Sequence, residues 1–122
     1  MKYTASDIIK VVCQETGVTY TELIGRGRMP HTITARYIAV LLCRQFGLPY
    51  LTIAAAMGKM PTGHSTLISQ ASAGRARMRD DPGFAEDYEA VEDVLMGARV
   101  ADMILARRQD DLTAVYAAGG AV

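Results

Sequence analysis

Hydrophobic positions along the chain recur with helical spacing and are cut into blocks by glycine and proline. Ile8, Val11 and Val12, with Glu15 on the same repeat, predict a first helix that Gly17 ends. Ser6 stands where a cap is expected, and Asp7 falls in the first turn, where the helix dipole favours an acid. Val18–Ile24 predicts a short second helix capped by Thr19, with Glu22 three residues on to complete a capping box. Ala35, Ile38, Ala39, Leu42, Cys43 and Phe46 keep helical spacing, and Val40 and Leu41 widen the apolar face. This pattern predicts a central core helix, capped by Thr32 or Thr34, that runs to Phe46 and ends at Gly47 and Pro49.

The next block is apolar first and polar afterwards. Leu51, Ile53, Ala54, Ala55, Ala56 and Met57 predict a short helix stopped by Gly58, since glycine takes the left-handed terminal conformation without a Cβ penalty. Lys59–Gly63 reads as a turn, with Thr62 capping a further helix that opens with His64, Ser65 and Thr66. Leu67, Ile68, Ala71 and Met78 mark the side of that helix expected to be buried. A helix–turn–helix with hydrogen-bonding side chains on the first turn of its second helix fits reading of the DNA major groove. An ordinary helical hairpin is the alternative reading.

Asp81-Pro82-Gly83 is the sharpest break in the chain. Beyond it a long helix is predicted from Phe84 to about Arg108. Phe84, Tyr88, Val91, Leu95, Ala98, Asp102 and Leu105 alternate by four and three residues, a heptad seam with one polar member. Glu86, Asp87, Glu89, Glu92 and Asp93 charge its first half. The seam either packs back on its own domain or pairs with a second copy or a protein partner through Phe84–Leu105. The Ala/Gly-rich tail, Thr113–Val122, is expected to fray.

Composition narrows the class. The 122 residues are half apolar, without Trp, and suit one helical core. No apolar run reaches membrane-spanning length, and the first residues lack the order of a signal peptide. Cys13 and Cys43 read as reduced core residues of a cytoplasmic protein. The formal net charge of zero hides a split. Residues 1–79 hold ten Lys/Arg and three Asp/Glu, about +7; residues 80–122 hold three and ten, about −7. A basic part suited to a polyanion is thus joined to an acidic part with another task, or the two parts simply attract each other.

Catalytic chemistry is not expected. Gly58–Ser65 has the spacing of a P-loop, but His64 replaces the lysine that reaches phosphates and no strand precedes it. His64 and Ser65 are adjacent on a helix and point in different directions, so they form no nucleophile–base pair. The scattered cysteines and histidines predict no metal, and no cofactor is implied. The candidate chemistry is instead that of a DNA interface. Arg26 and Arg28 lie in the loop Gly25–His31, and arginine suits phosphates and narrow minor grooves; a solvated surface loop is the plain alternative. Arg36 and Arg44, about two turns apart on the central helix, are within reach of a phosphate backbone.

Together these residues carry a resemblance. Ser6–Arg79 is similar to the C-terminal, DNA-binding domain of the bacterial replication initiator DnaA, in the order helix, short helix, basic loop, long helix, helix–turn–helix. The family signature, a glycine, a short basic turn and Asp-His-Thr-Thr, appears here as Gly58 followed by Gly63-His64-Ser65-Thr66. The resemblance implies that His64, Ser65 and Thr66 read bases, that Arg28 enters the minor groove, and that Arg36 contacts the backbone. With their neighbours, the residues expected at the DNA are Arg26, Arg28, His31, Thr34, Arg36, Arg44, Lys59, Thr62, Gly63, His64, Ser65, Thr66 and Ser69. Gly63 stands where the family has Asp, and the turn is about two residues longer, so backbone docking is expected to persist more readily than the family's sequence preference.

The expectation is an all-α protein: a helix–turn–helix domain over residues 1–80, then a long acidic helix and tail over 81–122. The chain begins at Met1 just ahead of the first helix, so a stand-alone module without the AAA+ ATPase domain of DnaA is expected. A phage- or mobile-element-borne regulator of transcription or replication that binds double-stranded DNA fits this pattern. A protein-interaction adaptor using the acidic helix and a structured-RNA binder are the alternatives.

Overall fold

The computed structural model describes residues 3–58 and 64–97. Five helices follow in order: α1 (Ala5–Thr16), α2 (Tyr20–Ile24), α3 (Pro30–Gln45), α4 (Tyr50–Ala56) and α5 (His64–Asp80). A further helix, α6, covers 82–97. No strand occurs among the described residues, and none of their helices is long and apolar enough to cross a membrane.

Local signals account for the helix ends. Thr4, not Ser6, caps α1: its backbone is extended, its hydroxyl accepts from the Asp7 N–H, and the Asp7 carboxylate accepts the Thr4 N–H. Gly17 closes α1 in the left-handed region at φ 76°, its N–H donating to Cys13 O. Thr19 and Glu22 form the expected capping box on α2. At α3 the cap expected at Thr32 or Thr34 is absent. Pro30 occupies the first turn behind an extended Met29, and Thr32 is a buried residue inside the helix. Proline starts a helix without a side-chain cap, because its φ is preset and it has no N–H to satisfy. Gly58 takes φ 66° after α4, as the sequence predicts.

The central helix α3 packs against α1, α2, α4 and α5, and α5 also packs on α4. Ile8, Ile9 and Val12 of α1, Leu23 of α2, Ile38, Ala39 and Leu42 of α3, Ile53 and Met57 around α4, and Leu67 and Ala71 of α5 share one buried cluster. On α5 the buried stripe runs through Leu67, Ala71 and Gly74, a step of four and then three residues. Ile68, expected inside, is 42% exposed because it sits one position off that stripe. Gly74 lies where a Cβ would come within 2.9 Å of Leu41 Cδ1, so α5 approaches α3 closely there.

The acidic segment joins the same core. Asp81 caps α6 by accepting the Phe84 N–H at 3.2 Å, and Phe84, Tyr88, Val91 and Leu95 belong to the shared cluster. Gln45 of α3 takes part in hydrogen bonds with Tyr88 and Glu92, and the Tyr3 hydroxyl donates to Leu95 O. Burial, then the Glu92 charge, then Cys43, push the Tyr88 phenol upward. The first four seam positions therefore face the chain's own interior, which leaves them unavailable to pair with a second chain. Ala98, Asp102, Leu105 and the tail lie outside the described residues. Cys13 and Cys43 are free thiols, and burial pushes Cys43 up to about 12.

Candidate nucleic-acid interface

The second helix of the helix–turn–helix is α5. His64, Ser65, Thr66, Ser69 and Ile68 are exposed along its first turns, while Leu67 and Ala71 anchor its opposite side in the core. This division leaves the hydrogen-bonding groups of the first turn facing outward on a rigid support. Lys59, Thr62 and Gly63 lie outside the described residues.

The basic loop is brought to the same helix. Gly25, Arg26, Arg28, Ile33, Arg36, Tyr37, Thr66 and Gln70 line one open groove of about 510 Å³. Arg26 and Arg28 are exposed on one wall, and Thr66 and Gln70, one helical turn apart, form the other. Among the described residues the groove is lined by no acidic side chain. Gln70 Oε1 is buried there without a hydrogen-bond partner among the described residues.

Arg36 departs from its expected role. It is only 7% exposed, and its guanidinium is directed at backbone carbonyls rather than outward. Nε donates to Leu23 O at 2.7 Å, Nη1 to Gly27 O at 2.6 Å, and Nη2 to Glu22 O at 3.0 Å and Gly25 O at 2.7 Å. Four of its five N–H groups are thereby engaged. In place of the expected phosphate contact, the guanidinium is engaged inside the protein, because carbonyls at the C-terminal end of α2 and in the loop attract a cation; Glu22 O accepts the Gly25 N–H as well.

Arg44 and His64 meet through Tyr50, the first residue of α4. The Arg44 guanidinium lies 4.4 Å from the Tyr50 ring centre, and the His64 ring meets Tyr50 edge-on at 5.5 Å. Arg44 also donates to Leu48 O at 3.0 Å. These contacts tie the end of α3 to the first residue of α5. Beside them, Arg44, Tyr50 and Arg75 face Tyr88, Glu89 and Glu92 of α6 across a cleft of about 540 Å³.

His31 and Thr34 are set apart from the loop–α5 groove. They line a smaller cleft of about 270 Å³ with Glu15 and Asp87, whose charges disfavour a phosphate. The Thr34 hydroxyl accepts from Arg77 Nη1 at 3.3 Å, and the Arg77 guanidinium lies 5.1 Å from the Tyr37 ring centre. Sequence reasoning did not single out Gln70, Tyr50, Tyr37 or Arg77. Gln70 was within reach, since it follows Thr66 by one helical repeat; Tyr50 carries no local signal, because its partners come from two other helices.

This arrangement defines the class: an all-α protein with a helix–turn–helix whose second helix stands beside a basic loop. The family model described as the bacterial dnaA protein helix-turn-helix matches residues 5–72, and the chain belongs to that family, a DNA-binding domain. No curated protein matches the chain.

Proposed function

We propose that this chain is a sequence-specific double-stranded DNA-binding protein that regulates transcription or replication. The first turns of α5, from His64 to Ser69, enter the major groove, and Arg26 and Arg28 meet the backbone or the adjacent minor groove. The observation that carries this reading is the groove shared by the two arginines and Thr66 in a chain of a DNA-binding family. Phosphate contacts supply much of the affinity of such an interface, while base edges supply the selectivity. Arg44, held against Tyr50, is a further backbone contact, and the protein works with the DNA in the cytoplasm.

The test is selection of bound sequences from a random duplex pool, followed by anisotropy titrations against the enriched duplex, single strands and a structured RNA. Enrichment of one motif, with tighter binding to that duplex than to the other nucleic acids, is the expected result. Tighter binding to the RNA favours the structured-RNA alternative, and no binding to any nucleic acid favours an adaptor role.

A further inference from the structure

We propose that Arg36 is the positioning residue of the DNA-binding loop: it holds residues 25–28 in the conformation that presents Arg26 and Arg28 beside α5. This rests on the reading of that face as the DNA interface. Two glycines, Gly25 and Gly27, alternate with the two arginines, and a Cβ added at Gly27 would meet nothing within 4 Å. Gly25 lies close to α2, where a Cβ would come within 3.0 Å of Thr21 O. Arg26, Gly27 and Arg28 are exposed, so that stretch has little packing of its own to select one conformation, and glycine widens its choice further.

The restraint comes from α3. Arg36 follows buried Ala35 and precedes buried Ile38 and Ala39, so its backbone is fixed by the core. Its planar fork reaches Glu22 O and Leu23 O at the end of α2, and Gly25 O and Gly27 O in the loop, at 2.6–3.0 Å. Bonds from a permanently charged donor are stronger than neutral ones, and the fork geometry matches several acceptors at once. The carbonyls flanking Arg26 are thus drawn toward α3, while Arg26 and Arg28 remain exposed along the groove. A lysine at this position has three N–H groups on one atom and does not span the four carbonyls.

Two measurements on the free protein test the tether without DNA. In the wild-type chain the Arg36 Nε–H resonance should exchange with water at least tenfold more slowly than that of exposed Arg79. Exchange as fast as Arg79 overturns the proposal, whatever any variant does. In Arg36→Met and Arg36→Lys, trypsin should cut after Arg26 and Arg28 at least tenfold faster than in wild type, with helical circular dichroism unchanged. An unchanged cutting rate in a folded variant also overturns it. The DNA measurement is a double-mutant cycle on the enriched duplex. Arg28→Ala should weaken binding several-fold in the wild-type background and less than twofold alongside Arg36→Met, because the loop is already misplaced. Equal losses in both backgrounds overturn the positioning role and point to independent contacts. If the wild-type chain binds no DNA, the functional reading fails while the exchange and trypsin measurements still judge the tether.

Discussion

Thr66 and Arg36, both polar and both expected at the DNA, divide their work by exposure: Thr66 is exposed and Arg36 is buried. Thr66 is exposed on the groove wall of α5, with Leu67 beneath it anchored in the core. Replacing Thr66 with Ala should cost on the order of 1–3 kcal/mol of discrimination at one base pair and change non-specific binding little. Binding curves on the enriched duplex and its single-base variants measure this; a uniform loss on every sequence would mark a phosphate contact instead. Asp7 supplies a pH-dependent contribution of another kind. The Thr4 backbone N–H, then its hydroxyl, hold the Asp7 carboxyl below its ordinary 3.8. A carboxyl depressed in the folded state stabilises it above the ordinary pKa and ceases to do so as pH falls through the folded value. The start of α1 should therefore loosen below roughly pH 4, and Asp7→Asn should show a flatter acid dependence in thermal melts. Glu22 behaves in the same sense through Thr19, its side chain first and then its backbone.

Among the elements, α5 carries two opposed requirements. Its outer side must be polar and accessible, while its inner side must come close enough to α3 for the loop to lie beside it. Gly74 meets the second requirement, with Leu41 and Tyr37 directly across. Gly74→Val should overpack this crossing and cost on the order of 1–3 kcal/mol, seen as a lower unfolding midpoint in urea. An unchanged midpoint would show that Leu41 moves aside freely. The acidic helix α6 places Glu89 and Glu92 across a cleft from Arg44 and Arg75. Those carboxylates lower the positive potential that DNA would meet there. Glu89→Gln, which leaves the Gln45–Glu92 bond in place, should tighten binding at low salt and lose that advantage at high salt. Equal affinities at all salt concentrations would remove α6 from the electrostatics of the interface.

On the scale of the whole molecule, the charge division does not coincide with a division of the core. The basic part ends near Arg79, yet Phe84, Tyr88, Val91 and Leu95 complete the cluster that α1 and α3 begin. A chain ending at Asp80 would lose four buried large side chains. Truncating a single buried Phe typically costs about 3–5 kcal/mol, against a total stability of about 5–15 kcal/mol for a domain. The shortened chain should therefore lose its cooperative thermal transition and expose surface that binds a hydrophobic dye. A cooperative melt matching that of the full chain would show instead that α1–α5 stand alone.

Much of this protein was legible in its sequence, because the physics concerned is local. Helical spacing of apolar residues, the Thr19–Glu22 capping box, the left-handed stops at Gly17 and Gly58 and the Asp81-Pro82-Gly83 break all depend on neighbours within a turn or two. The exposure of the side chains from His64 to Thr66, opposite buried Leu67 and Ala71, follows from the same periodicity. The tertiary structure decided what depends on residues distant in the chain. It turned Arg36 inward, since the carbonyls that attract it belong to α2 and the loop, and it joined His64 to Arg44 through Tyr50. It also directed the seam from Phe84 to Leu95 to the inside. A heptad spacing states that one face of a helix is apolar, but only packing determines which surface covers it.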